Sequence, residues 1–433
     1  MSRYIMPSRD LYKGNRPIKG GTQMKFFVSD LHLGCGDALE DFLLWEEKPC
    51  LSAGSRSCLS EGMRKMHKVF SLFIDHIISL GQKESQTPEL IFLGDTLDLL
   101  QVLPEEREDP RKIDLISEAH QPFFHALDRF HKNGGVVTLV VGNHDHDLLK
   151  PALYKALKNH LPFINGKPLL YYYFPEGRVY AEHGNQFDSL NSFKDPFDPA
   201  EWPFGSELVL RLVNPLEETH PIIDNLGIRE ALWFAIRHLP EILSATQRKD
   251  LMVSEAIRFL SVENRMKHLA YFIYHQVMPG SDSSVFHLLW RLLCANEKLL
   301  RKGDSRKRYA KGLLYTFSRI GRNPVRVFRE ILVNQQHSAA KKIINGKKDE
   351  AIGKPNPSPR FVLFGHTHTP LTSRIAPGCL YINTGSWRMR ALPYRRFSLR
   401  YSQTLDYAVA RQSKKGTWYV RRHSFAGEYH KNL

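Results

Sequence analysis

The chain has 433 residues, with 61 Lys and Arg against 45 Asp and Glu, a net charge of +16. Its 42% hydrophobic and 24% charged residues exclude a chain disordered throughout. The length exceeds one small core and calls for one large domain with a big insertion, or two domains. The basic excess favours polyanionic partners, whether nucleic acid, an anionic membrane or a phosphorylated substrate, without choosing among them.

No apolar run is long enough to span a membrane, and the opening MSRYIMPSRDLYKGNRPIKGG has no apolar centre of the kind a secretory signal needs. The five cysteines, Cys35, Cys50, Cys58, Cys294 and Cys379, are odd in number, irregularly spaced and lack a CxxC pair. They argue against a disulfide framework or a thiolate zinc site and fit a reducing cytoplasm.

Residues 1–23 are expected to form a flexible arm. Lys25 to Ser29 is a short apolar run ending at Asp30, as a buried strand delivering a carboxylate at its C-terminal end would be. Glu89 to Leu93 does the same for Gly94-Asp95, Val136 to Val141 for Gly142-Asn143-His144-Asp145, Arg178 to Ala181 for Glu182-His183-Gly184, and Arg360 to Phe364 for Gly365-His366-Thr367-His368. Helical periodicity spans Met63 to Leu80 and Asp114 to His131, and Cys35 to Glu61 is expected to be a loop. The alternation of strands and helices predicts a layered α/β domain, in which ligands collect at the carboxyl ends of strands.

Between His183 and His366 no further strand with a polar tip occurs. Helical patterns fill this stretch over Leu226 to Leu239, Leu251 to Val277, Ser284 to Arg301 and Arg308 to Ile320, predicting a helical cap inserted between core strands. Cys379 to Asn383 then reads as a strand, and Asp406 to Arg411 with Thr417 to Arg422 as a closing hairpin.

The strand-end residues Asp30, His32, Asp95, Asn143, His183, His366 and His368 offer carboxylate, amide and imidazole donors. Such donors suit Mn²⁺, Fe, Zn²⁺ or Mg²⁺, and seven of them suit two ions sharing one carboxylate. In Asp30-Leu31-His32 and His366-Thr367-His368 the paired donors stand two apart, so in extended chain they share a face.

The blocks Asp30-Leu31-His32, Gly94-Asp95-Thr96-Leu97-Asp98, Gly142-Asn143-His144-Asp145, His183-Gly184 and Gly365-His366-Thr367-His368 resemble the signature of the calcineurin-like metallophosphoesterases. The resemblance implies a four-layer α/β/β/α sandwich and covers the core, 24–188 and 358–425. It does not cover the large helical cap, 189–357, which the helical patterns predict. It assigns Asp30, His32, Asp95 and His368 to one metal and Asp95, Asn143, His183 and His366 to the other, with Mn²⁺ the first choice. It further implies hydrolysis of a phosphoester or pyrophosphate by a hydroxide bridging the metals. His144 would be the proton donor or transition-state contact, Asp98 would orient it, and Asp145 would support a turn.

The segment Glu182 to Asp188, the cap and Asn383-Thr384-Gly385-Ser386-Trp387 are also similar to bacterial UDP-2,3-diacylglucosamine hydrolases, which cleave a pyrophosphate at the inner membrane surface. The chain departs from them in having His144 where they usually have Arg, and in its longer cap. A nuclease is the rival within the enzyme class, and a non-catalytic binding platform the rival outside it.

Lys and Arg concentrate in two places: 14 of them over Arg301–Lys348, and 12 after Leu371, namely Arg374, Arg388, Arg390, Arg395, Arg396, Arg400, Arg411, Lys414, Lys415, Arg421, Arg422 and Lys431. Both stretches flank the His366/His368 block. This favours a phosphate-bearing substrate or peripheral contact with an anionic membrane over nucleic acid.

Overall fold

A computed structural model describes residues 23–37, 39–44, 56–188, 191–203, 205–206, 209–214, 335–346, 357–388, 390–395, 398–413 and 415–425. The expected arm, up to residue 22, and the four expected cap helices lie outside the described residues.

The chain divides into two compact units. The first is Met1–Ser206, Val333–Arg390 and Arg400–Leu433; the second is Glu207–Leu332 and Ala391–Leu399. Residues 191–206 and 335–346, which the sequence places in the insertion, therefore belong with the first unit.

The first unit is mixed α/β. Its elements begin with β1 (Gln23–Val28), α1 (Arg56–Glu84), β2 (Thr87–Leu93), α2 (Arg111–Ala119), α3 (Gln121–Lys132), β3 (Val136–Val140) and α4 (Pro151–His160). They continue with β4 (Tyr171–Phe174), β5 (Val179–Glu182), a helix α5 over 335–344, β6 (Phe361–Phe364), β7 (Leu371–Ala376) and β8 (Cys379–Asn383). After β9 (Arg390–Arg395), which lies almost wholly in the second unit, and β10 (Ser398–Ser402), which straddles the boundary, come β11 (Asp406–Gln412) and β12 (Trp418–Ser424).

Two mixed five-stranded sheets result, one in the order β12-β11-β1-β2-β3 and one in the order β4-β5-β6-β8-β7. In the first, β1, β2 and β3 are parallel and β11 runs antiparallel to β1. In the second, β5, β6 and β8 are parallel and β4 and β7 are antiparallel edges.

The continuous apolar runs of the central strands follow from burial on both faces. Phe26 and Val28 of β1 and Leu90 and Phe92 of β2 join a cluster with Phe70 and Phe73 of α1, Ile113 of α2 and Leu127 of α3. The alternate residues Phe27, Ile91 and Leu93 face a second cluster, which also contains Ala181 of β5, Phe361 and Leu363 of β6 and Ile382 of β8. Val362 and Phe364 take the opposite side and meet Ala339, Ala340, Ile343 and Ile344 of α5. Period-two alternation within each strand thus divides its side chains between two cores.

Several elements depart from the sequence expectation. The expected loop Cys35–Glu61 ends in the first turns of α1, which starts at Arg56. The expected helix Asp114–His131 is two helices meeting at His120. Pro122 follows directly and cannot donate a backbone hydrogen bond, and the fully buried His120 ring is held by Glu40 and His67. The edge strand β4 and the helix α4 carry no donor motif and have no counterpart in the sequence expectation. Among the described residues, no helix is long and apolar enough to cross a membrane.

Candidate metal centre

All the strand-end donors come together beyond the carboxyl ends of the parallel strands. The loops after β1 and β2 run side by side: Asp30 N donates to Gly94 O at 3.1 Å, and Leu31 N and His32 N both donate to Asp95 O at 2.9 Å. Trp387 N (3.1 Å) and Ser386 Oγ (3.0 Å) donate to Asp30 O and hold that loop from the side of the second sheet. Gly365 N donates to His183 O at 2.9 Å, which joins the two histidine loops of that sheet.

The backbone turns sharply at the donors themselves. Asp30 (φ 55°), His32 (φ 51°), Asp95 (φ 49°), His366 (φ 69°) and His368 (φ 51°) all adopt left-handed conformations. This conformation costs a non-glycine residue on the order of 1–2 kcal/mol. It is concentrated where five side chains must leave the strand ends toward one point, as strain at functional sites tends to be. Gly142 is required by proximity: a Cβ there would overlap Asp95 Oδ1 and the His183 ring.

Among the described residues three His/Asp donor groups form, one of them His32, Asp98 and His144. One atom each from Asp30, His32 and His368 lie within 4.8 Å of one another, and so do atoms of Asp95, His183 and His366. Asp95 Oδ2 stands between them, 3.0 Å from His183 Nε2 and 3.8 Å from His32 Nε2. His368 Nε2 is 3.1 Å from Asp30 Oδ1.

The far side of each ring is anchored. His32 Nδ1 lies 3.0 Å from Asp98 Oδ2, and His183 Nδ1 lies 3.0 Å from Leu93 O. A carboxylate and a carbonyl accept, so each Nδ1 carries a proton and each Nε2 faces inward. His366 Nε2 is 3.0 Å from Asp188 Oδ2, so its other nitrogen remains for the cluster.

The residues fit a metal on three observations. His32 Nε2 and Asn143 Oδ1 are buried and have no hydrogen-bond partner, and His183 Nε2 meets only the Asp95 carboxylate at 3.0 Å, an arrangement that is unfavourable for the first two unless a ligand supplies a partner. The carboxylates of Asp30 and Asp95 are buried beside them, 0% and 2% exposed. Buried carboxylates require a counter-charge. The donors are oxygen and imidazole nitrogen, as Mn²⁺, Fe and Zn²⁺ accept.

The electrostatics express the same demand. Burial pushes Asp95 up, but His183 and His144 more than reverse it and hold its carboxyl well below the usual carboxylate range. Burial opposes charge on His183, yet Asp95 and Asp30 raise it to about 10. His144 rises to about 9 because Asp98 and Asp95 outweigh its burial. His368 falls to about 4 through burial, which Asp30 only partly offsets. On the protein's own charges, protons on the histidines supply what a cation would supply.

Asp98 binds two rings at once. Its carboxylate meets His32 Nδ1 and His144 Nδ1, each at 3.0 Å. The His144 ring packs edge-on to His32 at 4.6 Å between centroids, and its side chain, 14% exposed, reaches the open side of the cluster. Asp145 carries no donor into the site. It accepts from Gly142 N (2.6 Å) and Thr96 N (2.8 Å), tying the loops after β2 and β3 together, and burial with Asp95 nearby raises it to about 7.

Sequence reasoning missed Asp188 as the partner of His366, and missed Gln336 and Asn383, which brace the histidine loops. Asp188 and Asn383 stand in segments already singled out; Gln336 has no local signal. Part of the basic tail is spent internally. Arg388 pairs with Asp41 at 2.7 Å, Arg411 with Glu84 at 2.7 Å, and Arg422 with Asp406. No family model matches the chain, and neither does any curated protein.

Proposed function

We propose that the chain is a dinuclear metal-dependent phosphoesterase of the calcineurin-like type, hydrolysing a phosphoester or pyrophosphate bond. The observation that carries this reading is the gathering of Asp30, His32, His368, Asp95, His183 and His366 into two tight donor groups around buried carboxylates, with His32 Nε2 and the neighbouring Asn143 Oδ1 buried and without hydrogen-bond partners. Asp30, His32, Asp95 and His368 would hold one ion and Asp95, Asn143, His183 and His366 the other. Asp95 would be shared, in keeping with its place between His32 and His183. Mn²⁺ is the first choice, and Fe, Zn²⁺ and Mg²⁺ suit the same donors. When bound, two such ions acidify a water and offset charge on phosphoryl oxygens.

The chain's own residues supply the rest. His144, raised to about 9, carries a proton at neutral pH and offers it from the open side to a leaving oxygen. Asp98 fixes the His144 ring through Nδ1, so that Nε2 is the atom presented. The left-handed turns at Asp30, His32, Asp95, His366 and His368 set these groups before any substrate arrives.

The three apolar clusters, one drawing on both sheets and the other two each pairing one sheet with helices, support a four-layer α/β/β/α arrangement. The substrate class is phosphate-bearing. The ion pairs of Arg388, Arg411 and Arg422 weaken the case for nucleic acid that net charge alone would make.

The test is hydrolysis of an aryl phosphate by the full chain. We expect turnover with added Mn²⁺, loss on chelation and recovery on adding Mn²⁺ back. Absence of turnover with Mn²⁺, Fe²⁺, Zn²⁺ and Mg²⁺ alike would contradict the reading.

A further inference from the structure

The two histidine loops of the second sheet share a brace that lies far from both in sequence. Gln336, in the first turn of α5, is 1% exposed. Its Nε2 lies 3.4 Å from Gly184 O and 3.4 Å from Gly365 O, the carbonyls immediately after His183 and immediately before His366. Its Oε1 accepts from Tyr381 Oη at 2.8 Å and Asn383 Nδ2 at 3.1 Å.

The orientation of the Gln336 amide is fixed by its neighbours. Gly385 N donates to Asn383 Oδ1 at 2.9 Å, so Asn383 presents its NH₂ to Gln336 and to Gly365 O. Gln336 must therefore accept on that side and donate on the other. Asn383 Nδ2 also reaches Thr367 Oγ1 at 3.1 Å, between His366 and His368.

The fit at Gly184 is close. This residue has φ 101°, and a Cβ on it would stand 2.7 Å from Gln336 Nε2 and 3.2 Å from Phe364 Cβ. Behind Gln336, Ala339, Ala340, Ile343 and Ile344 seat α5 on the sheet face with Val362, Phe364 and Tyr381. The amide is thus held by a packed helix and cannot shift without moving it.

We propose that Gln336 is a positioning residue for the second metal ion. Resting on the dinuclear reading above, the inference is that its amide sets the separation of His183 and His366, two of that ion's donors. Of the first ion's donors, His32 and Asp95 are held by the loops after β1 and β2, while the Asp30 carboxylate also accepts from His366 N at 3.0 Å and so touches the braced loop at one point. Gln336→Met keeps the length and removes both polar atoms. Gln336→Glu keeps an acceptor for Tyr381 and Asn383 but loses the donor to Gly184 O and Gly365 O.

The experiment is a calorimetric Mn²⁺ titration of the full-length wild type and both variants, repeated in an Asn143→Ala background. In the wild type we expect two binding steps. In each variant the second weakens about 10–100-fold, the size of effect that lost support of a metal ligand produces, and the first weakens less. With Asn143→Ala, which removes a donor of the second ion alone, the Gln336 substitutions should add nothing further. Wild-type affinity at both steps in a folded variant overturns the proposal, and so does equal weakening of both steps. Should the Met variant not fold, the Glu variant decides. A wild type that binds no Mn²⁺ overturns the dinuclear reading itself, an outcome distinct from two intact steps in the variants.

Discussion

Glu89 and Asp95 are both buried carboxylates on the stretch of chain that forms and follows β2, and their surroundings are completed differently. Glu89 meets Lys25 Nζ at 2.5 Å, Thr138 Oγ1 at 2.7 Å and Tyr172 Oη at 2.9 Å, all from neighbouring strands. Its charge is compensated by the protein alone. Asp95 accepts from His144 N at 2.9 Å and faces His183 Nε2 at 3.0 Å, while His32 Nε2, 3.8 Å away, is buried without a hydrogen-bond partner. Burial of charge is therefore not the mark of a site in this molecule. The mark is burial of charge whose surrounding donors remain unused.

That contrast separates stability from function and can be broken by substitution. The largest effect is expected at Asp95→Asn: aryl phosphatase turnover should fall at least about 10³-fold while the unfolding midpoint is retained, since the shared carboxylate is lost from a cluster of uncompensated charge. An equally active Asp95→Asn protein would remove Asp95 from the site. Glu89→Ala should do the opposite. Stranding the Lys25 ammonium should cost about 3–5 kcal/mol in chemical denaturation, with Mn²⁺ stoichiometry unchanged in the protein that remains folded.

His144→Ala should lower turnover about 10²-fold, the usual scale for a proton donor, and leave ion binding intact. Reduced ion binding in that variant would make His144 a ligand instead.

A smaller effect belongs to a second compensated network. His67 Nε2 lies 2.9 Å from His120 Nδ1, and His120 Nε2 lies 3.1 Å from Glu40 Oε2. Burial, and then the neighbouring His120, depress His67 to about 4. An unfolded histidine takes its proton near pH 6.5, so the unfolded chain binds more protons and stability falls as the pH drops from about 6.5 through about 4. The loss should be on the order of 2 kcal/mol. Urea midpoints measured across that range should decline in the wild type and decline less in His67→Gln; parallel curves would show that His67 does not carry the acid sensitivity.

How much of this was legible in the sequence follows from how local each signal is. The central strands were visible because burial on both faces leaves a continuous apolar run, as in Lys25–Ser29 and Arg360–Phe364. The donors were visible because each stands directly after such a run. The edge strand β4 was not, since it lacks a polar tip to mark it, although Tyr172 and Phe174 enter one core and Tyr171 and Tyr173 pack against another. The break at His120 has a local signal in Pro122 and a distant one in the ring contact of His120 with Glu40, 80 residues away.

Gln336 was hidden for the same reason. It follows another glutamine in the chain, and its role comes from carbonyls 152 and 29 residues away. The division of labour between compensated and uncompensated charge could not be read from the sequence either. Lys25 and Glu89 look like surface charges until the register of β1 against β2 pairs them inside the sheet.

The most direct test of the central claim is the number of metal ions held by the full chain. Protein equilibrated with Mn²⁺, desalted and analysed for metal should carry about two ions per chain, as a shared-carboxylate pair requires, and Asp95→Asn about one or fewer. A wild-type chain holding less than about one ion, or Asp95→Asn protein holding as many as the wild type, would contradict the dinuclear account.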